Sequence, residues 1–379
     1  MASTLRITST AEGRYKNIDV LRGIAALFVV WLHASEVLVT IPAIGAFGTL
    51  AYEIPEFLQL GRAGVIAFFA ISGFVVASTI KPPKGEGTAH FATKRVLRLY
   101  PAYWLALAST YLLIWLPQGR VPDMASVVAN VTMLPTVFGI ESAMGHFWTL
   151  EIEFVFYVLV VVLFLAGKLR NPRFIVPLTC LLALKPAGFL MGKLAWTSGQ
   201  GHWGELPLCL AIMLWGSLLR ASYDPDAGVW RKLRAWANWP IAICTIFVFG
   251  RSLNLGGVIK GVDPVTWLAG LGTLWGLLLF ILFALCGQRW PRFMVWCGTT
   301  SYSIYLFHPV IFYPLYFFLS SNPHFAAAPL SLWLLLCAAV TVAFASITYL
   351  LVEAPANRLA ARLTRRPWMP PAGSSPSGR

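Results

Sequence analysis

Arg22 and His33 lie eleven residues apart in the first long apolar segment of the chain. A helix rises about 1.5 Å per residue, so the two side chains are about 16 Å apart along its axis. That distance is about half the thickness of the hydrocarbon core of a bilayer. An arginine at one membrane face therefore places the histidine near the midplane, where an ionisable side chain is costly and indicates function.

A neutral imidazole at that depth is a candidate general base that takes a proton from a hydroxyl group. Glu36 lies three residues after His33, on nearly the same helix face, and is a candidate to orient the ring. The alternatives are an arginine that only anchors the helix, a histidine bonded to a neighbouring helix and a glutamate that faces the external interface.

A pair of arginines precedes the third apolar segment. Arg95 and Arg98 are three residues apart, so a helical turn places both guanidinium groups on one face. Two guanidinium groups side by side suit a ligand that carries phosphate, because each can bind it with two hydrogen bonds. The alternative is a basic segment that follows membrane topology or contacts anionic lipid headgroups.

Two glutamates enter the fourth apolar segment from its predicted external end. Glu151 and Glu153 are two residues apart, so they point in different directions on a helix, and at most one faces the same site as His33. A carboxylate at this depth needs a partner. The alternative is an interfacial acid that pairs with an external Arg or Lys.

Further polar residues lie within other apolar segments. Tyr305 and His308 share a helix face, and polar residues of this density either join helices or line a cavity. Ser72 precedes Gly73, and small residues there favour close helix packing. The sequence contains no Gly-x-Ser-x-Gly elbow, Walker P-loop or His-Glu-x-x-His motif, so a soluble hydrolase, an ATPase and a zincin lack support.

The composition indicates a membrane protein. Of the 379 residues, 58% are hydrophobic and 12% are charged, against about 25% charged residues in soluble proteins. The net charge of +14 does not indicate nucleic-acid binding, because it is divided among short loops between apolar runs. The six cysteines form no CxxC pair, so small buried side chains are favoured over a metal site.

Ten apolar segments predict an all-α, polytopic membrane protein with about ten transmembrane helices. A cytoplasmic N-terminus places 23 of the 29 Lys and Arg on the cytoplasmic side, which supports the number and orientation of the spans. Both termini are then cytoplasmic, and the first segment is interpreted as a retained span, not a cleaved signal peptide. We predict one membrane domain, 15–357, and a cytoplasmic tail, 358–379, that is basic and then rich in Pro, Gly and Ser. The segments are 18–40, 62–80, 101–116, 148–167, 174–190, 205–220, 239–250, 265–286, 297–319 and 331–352.

Five stretches, in this order, resemble the acyltransferase-3 family of integral membrane acyltransferases. Each stretch is weak alone, but together with ten spans they make a specific match over about residues 15–357. A closing Val352-Glu353-Ala354-Pro355 is also similar to the family. The five stretches are Ile18-Asp19-Val20-Leu21-Arg22-Gly23 with His33, Phe69-Ala70-Ile71-Ser72-Gly73-Phe74, Arg95-Val96-Leu97-Arg98-Leu99-Tyr100-Pro101, Trp148-Thr149-Leu150-Glu151-Ile152-Glu153 and Ser301-Tyr302-Ser303-Ile304-Tyr305-Leu306-Phe307-His308-Pro309.

The resemblance implies O-acyl transfer, usually of acetyl, from cytoplasmic acyl-CoA to a hydroxyl of an envelope or exported carbohydrate. It implies that His33 and Glu153 are catalytic. It also implies a donor site for acetyl-CoA that uses Arg95 and Arg98, to which we add Arg22, and we expect no metal. We expect supporting or substrate-site roles for Asp19, Glu36, Ser72, Tyr100, Trp148, Glu151, Tyr302, Tyr305 and His308.

The expected mechanism places the donor phosphates at the cytoplasmic rim and the thioester near the midplane. The extended pantetheine arm of acyl-CoA covers a distance similar to the rise of about 16 Å between Arg22 and His33. His33 then removes the proton of the acceptor hydroxyl, or first carries the acyl group itself. Glu153, Glu36 and Tyr305 are the alternative candidates to orient the imidazole, and the sequence does not choose among them.

Two other functions stay open. A secondary transporter or envelope flippase also has many spans and intramembrane ionisable residues, although the chain shows no convincing inverted halves. The second alternative function is that of a non-catalytic scaffold in an envelope-polymer complex. For the acyltransferase we expect the bacterial inner membrane, with an exopolysaccharide, a lipopolysaccharide, peptidoglycan, a lipid-linked sugar or a small metabolite as acceptor.

Overall fold

The computed structural model describes residues 16–190, 201–221, 238, 264–285 and 290–364. Most of these residues are helical, and no strand is found among them, which confirms the predicted all-α class. The helices are α1 (Lys16–Leu38), α2 (Pro42–Gly45), α3 (Leu50–Phe57), α4 (Leu60–Val76), α5 (Lys84–Thr110), α6 (Met124–Val131), α7 (Trp148–Leu165), α8 (Pro172–Leu190), α9 (Leu206–Ala221), α10 (Pro264–Leu285), α11 (Arg292–Thr299), α12 (Ser301–Ser321), α13 (Leu330–Thr348) and α14 (Ala354–Leu363).

Short irregular turns extend these helices. A π-helical turn, Tyr111–Trp115, and a 3-10 turn, Leu116–Gln118, continue α5. A second π-helical turn, Tyr349–Glu353, joins α13 to α14. Three further 3-10 turns are Pro135–Phe138, Gly145–Phe147 and Gly201–Glu205.

Within the described residues, six helical segments are long and apolar enough to cross a bilayer. A seventh is present if α3 and α4, bent by 42°, count as one span. Two more predicted segments, 174–190 and 265–286, correspond to shorter apolar helices in the part that the structure describes, and the predicted segment 239–250 lies outside it. A multi-pass helical architecture is therefore supported, and the number ten is not reached by the described helices. The six segments are Lys16–Leu38, Lys84–Gln118, Gly145–Leu165, Trp203–Ala221, Ser301–Ser321 and Leu330–Leu363.

Helices α1 and α4 occupy the centre of the bundle. Helix α1 packs against α4, α11 and α12, while α4 also packs against α9 and α10. The buried cores of these helices are apolar, with fully buried side chains such as Leu21, Ile66 and Phe74.

A glycine allows α4 and α9 to pack at unusually short range. A Cβ atom added at Gly73 would lie 1.7 Å from the backbone oxygen of Met213. Real atoms cannot approach so closely, so only glycine fits at this point. The predicted packing role of the Ser72-Gly73 pair is thus supported for the glycine, and it brings α9 alongside the polar residues of α4.

Arg62, near the beginning of α4, joins this helix to two other parts of the bundle through an ion pair and a hydrogen bond. The Arg62 Nη1 atom lies 2.9 Å from the Glu205 Oε1 atom, and the Arg62 Nε–H donates to the Thr273 Oγ1 atom of α10 at 3.2 Å. Since Glu205 immediately precedes α9, Arg62 fixes the relative positions of α4, α9 and α10.

Candidate active site

Two adjoining cavities lie inside the helical bundle. The wide cavity, of about 480 Å³, opens at the end of the bundle where α1 begins and α4 ends. The inner cavity, of about 80 Å³, lies deeper between α4, α7 and α12. Four side chains line both cavities and mark the junction between them: Arg22, Arg98, Ser301 and Tyr302.

Among the residues that the structure describes, the wide cavity is lined by three guanidinium groups, those of Arg22, Arg98 and Arg220. Two carboxylates, Asp19 and Glu353, belong to the same wall. The Asp19 Oδ1 atom is 3.6 Å from the Arg22 Nη1 atom, so the buried aspartate orients the arginine. A cavity with more cations than anions in its lining is suited to an anionic ligand.

Helix α5 presents its two predicted donor-binding arginines to different surroundings. Arg98 lines both cavities and lies within electrostatic range of Glu153 and Glu353. Arg95 lines neither of the two: its Nη2 atom donates to the Thr79 hydroxyl at 2.8 Å, and its guanidinium lies over the Tyr157 ring. The helical turn between them therefore brings Arg98, and not Arg95, into the cavity walls.

The inner cavity has a polar wall built around Glu153. The Ser72 hydroxyl donates to the Glu153 Oε1 atom at 3.0 Å, and the Tyr157 hydroxyl donates to the same atom at 2.5 Å. Thr149 and Tyr305 continue this wall, with 2.7 Å between their hydroxyl oxygens. The inner cavity is therefore mainly apolar, and the hydrogen-bonding groups of the four of these residues that line it form one part of its wall.

The two glutamates of α7 have separate environments, as their spacing predicts. Glu153 faces the inner cavity, whereas the fully buried Glu151 accepts a hydrogen bond from the Thr136 hydroxyl of a 3-10 turn. The Trp203 indole N–H also donates to Thr136, at 3.0 Å. Glu151 therefore contributes to packing between α7 and the segments at that end of the bundle.

His33 lies beyond the inner cavity in a cluster of three histidines. The His33 Nδ1 atom is 2.8 Å from the Glu36 Oε2 atom, so of the carboxylates and Tyr305 considered from the sequence, Glu36 is the group that orients this ring. The His33 ring stacks on His308 with 5.6 Å between centroids, and His308 lies 4.8 Å from His146. His33 belongs to the lining of neither cavity.

Tyr305 separates this cluster from the inner cavity. Its hydroxyl lies 2.7 Å from the carbonyl oxygen of His146, to which it can donate, and its ring lies 6.0 Å from Phe68, which also lines the cavity. The Nδ1 atom of His308 is 2.7 Å from the Tyr305 carbonyl oxygen. Among the described residues, the buried Nε2 atoms of His146 and His308 have no hydrogen-bond partner.

The remaining predicted residues have structural contacts. The Tyr302 hydroxyl donates to the Leu99 carbonyl at 2.9 Å, which joins α12 to α5 beside Arg98. The Tyr100 hydroxyl donates to the Thr132 carbonyl at 2.9 Å, away from both cavities. Trp148 packs edge-on against Phe69, with 6.2 Å between ring centroids.

Three residues of this region are not among the site residues that the sequence predicts. His146 directly precedes the Phe147-Trp148 pair, and its three-residue distance from Thr149 is the available signal. The sequence indicates Glu353 only through the closing motif, and the structure buries it against the Ser303 hydroxyl, which donates to it. The only sequence signal of Arg220 is the positive charge of a predicted cytoplasmic segment. Among the described residues, no group of three or more His, Cys, Asp or Glu side chains is arranged to hold a metal ion.

Comparison with known proteins places this arrangement in context. A family model described as "Acyltransferase domain" matches residues 15–350. The chain is 24% identical to the O-acetyltransferase OatA of Staphylococcus aureus, over 83% of this chain and 56% of that protein. It is 25% identical to Nodulation protein 10 of Rhizobium leguminosarum bv. viciae, over 94% of this chain and 97% of that protein.

A shorter match gives 38% identity to "Protein 2 in picA locus" of Rhizobium radiobacter, over 25% of this chain and 43% of that protein. The chain thus spans about half the length of two of these curated relatives: 43% of the picA-locus protein and 56% of OatA. No solved structure matches the chain.

Proposed function

The chain belongs to the acyltransferase-3 family, and we propose that it is a membrane O-acyltransferase that uses acyl-CoA. The group transferred is acetyl, and the acceptor is a hydroxyl of an envelope or exported carbohydrate. The name of the relative OatA, an O-acetyltransferase, supports the acetyl group. The observation that carries the proposal is the arginine-lined cavity that narrows towards the histidine cluster.

The wide cavity suits the nucleotide end of acyl-CoA. Arg22 and Arg98 line the junction of the two cavities, where each guanidinium can hold a phosphate group with paired hydrogen bonds. The charge distribution along the sequence supports a cytoplasmic location for this end of the bundle, which is where soluble acyl-CoA is found.

The inner cavity suits the pantetheine arm. The arm is slender and largely apolar, and it carries two amide groups that need hydrogen-bond partners when they leave water. Ser72, Thr149 and Glu153 provide polar atoms at intervals along the cavity wall. Because Arg22 and His33 are about 16 Å apart along α1, an extended arm held at the junction reaches the level of His33.

His33 acts as the general base in this proposal. An ionised carboxylate only accepts hydrogen bonds, so in the neutral ring Nδ1 carries the hydrogen and donates it to Glu36. Nε2 is then the basic nitrogen. Nε2 takes the proton of the acceptor hydroxyl while its oxygen bonds to the thioester carbon. The carbon–sulfur bond then breaks, and the CoA thiolate leaves and takes that proton from the His33 imidazolium. The products are an ester and free CoA, and His33 is neutral again.

The acceptor approaches from the side opposite to the donor. His33 and Glu36 side chains are 38% and 40% exposed, so the base is accessible from outside the helical core. Glu36 is within electrostatic range of Tyr52 and Tyr313. Tyrosine rings and carboxylates are suited to a sugar, since they offer a stacking face and hydroxyl acceptors. Since Tyr305 and Phe68 lie between the inner cavity and the histidine cluster, the proposal requires these two side chains to move during transfer.

The test is turnover by the purified full chain. With acetyl-CoA and an envelope glycan fraction, the proposal predicts one free CoA thiol for each ester formed. A flippase gives a different result, because it moves a labelled lipid-linked glycan across a proteoliposome membrane without consuming acetyl-CoA. A folded protein that consumes no acetyl-CoA with any envelope fraction contradicts the proposal.

A further inference from the structure

Arg220 is a third guanidinium group in the wide cavity. It lies in the last turn of α9, and α9 is held against α4 by the close approach at Gly73. In the sequence it is one basic residue among several at a predicted cytoplasmic loop. The packing of α9 brings it into the same cavity as Arg22 and Arg98.

Arg220 adds positive charge to this cavity. Among the described residues, the acidic and basic side chains of the lining are three arginines and two carboxylates, Asp19 and Glu353. Arg220 is the arginine of this set that lies away from the junction with the inner cavity. An anionic group in the outer part of the wide cavity is therefore attracted to Arg220.

The position of Arg220 differs from that of the other two arginines. Arg22 and Arg98 line both cavities, whereas Arg220 lines only the wide one. A ligand whose reactive end enters the inner cavity places its nearer phosphates beside Arg22 and Arg98. A phosphate farther from the reactive end lies in the wide cavity, on the side of Arg220.

We propose that Arg220 binds the phosphate of the donor that lies farthest from its acyl group. The inference rests on the proposed acyl-CoA donor, in which a diphosphate joins the pantetheine arm to a nucleoside that carries a separate 3′-phosphate. Arg22 and Arg98 then hold the diphosphate, and Arg220 holds the 3′-phosphate. Arg95 is assigned to no phosphate here, because it lines neither cavity.

The experiment compares two ligands that differ only in that phosphate. Binding of CoA and of 3′-dephospho-CoA to the purified full chain is measured by isothermal titration calorimetry. A charged hydrogen-bonded contact of this kind is worth about 10–100-fold in affinity, so the wild-type protein binds CoA that much more tightly. In Arg220→Ala this preference is lost, because CoA affinity falls to that of dephospho-CoA while the affinity for dephospho-CoA changes little.

Two further variants control the measurement. Arg358→Ala removes an exposed guanidinium near the same end of the bundle that lies outside the cavity lining, and it keeps the preference for CoA. Arg220→Lys keeps the charge and regains part of the preference, which shows that the loss in Arg220→Ala is not a folding defect.

The outcomes separate the inference from the function on which it rests. A preference for CoA that survives in Arg220→Ala overturns the inference alone. A wild-type protein that binds neither ligand overturns the acyl-CoA donor, and the assignment of Arg220 with it.

Discussion

Replacing Glu36 with glutamine tests how the proposed base is activated. The His33 Nδ1 atom is 2.8 Å from the Glu36 carboxylate, which is the only hydrogen-bond partner that the structure gives this ring among the described residues. Glutamine keeps the size of the side chain but removes its negative charge. The imidazolium that forms when His33 takes the hydroxyl proton then loses an adjacent anion.

The size of the loss follows from the distance and the exposure. Two unit charges 2.8 Å apart interact by about 1.5 kcal/mol in water and by about 6 kcal/mol at an effective dielectric constant of about 20. In the proposal this side of the bundle is open to the acceptor and to water, and both side chains are more than a third exposed, at 38% and 40%. Solvent screening then keeps the value close to the lower figure. A loss of about 1–2 kcal/mol lowers kcat by about 5–30-fold. Removing the base itself in His33→Ala is expected to cost about 10²–10⁴-fold.

The assay is steady-state release of the CoA thiol by purified variants at saturating acetyl-CoA and acceptor. Glu53→Gln is the matched control. This exposed glutamate on α3 accepts a hydrogen bond from Thr49 and not from His33, so its replacement should leave kcat unchanged. A loss in Glu36→Gln as large as that in His33→Ala would refute the screening argument. An unchanged kcat in Glu36→Gln would refute the stabilisation of the His33 imidazolium by the charge of Glu36.

Two further predictions concern packing and the donor site. Gly73→Ala introduces a Cβ atom 1.7 Å from a backbone oxygen of α9 and should destabilise the protein by about 1–3 kcal/mol or more, seen as a lower Tm in detergent. Gly85→Ala is the control: it has open space in a helix, where Ala is favoured over Gly, so it should not lower Tm. Arg98→Ala should weaken CoA binding by about 10–100-fold, because Arg98 lines both cavities, whereas Arg95→Ala should weaken it less, because Arg95 lies behind the cavity wall; equal losses in calorimetry would contradict this difference.

The sequence predicts the fold class well because membrane helices carry a strong signal. Long apolar runs with few charges are visible residue by residue, as in α1 and α13. The ends of the helices are less predictable, because they depend on local backbone breaks. One predicted segment, 297–319, is divided by the end of α11 at Thr299 and the start of α12 at Ser301.

The candidate site is predictable where it depends on spacing within one helix. The pairing of His33 with Glu36 and the divergence of Glu151 from Glu153 follow from helix geometry. The contacts of Arg95 do not, since helical spacing shows which residues share a face but not where that face points. His146 and Arg220 reach the site only through packing between helices that are distant in sequence, which no local pattern encodes.

The central claim is that His33 promotes transfer of an acyl group from acyl-CoA to a hydroxyl. The most direct measurement follows labelled acetyl from acetyl-CoA into an envelope glycan, with purified wild-type protein and a His33→Ala variant of matched Tm. The account predicts a base-labile ester on the glycan, formed in step with free CoA, and almost none of it with His33→Ala. An ester formed at the same rate by both proteins would contradict the account.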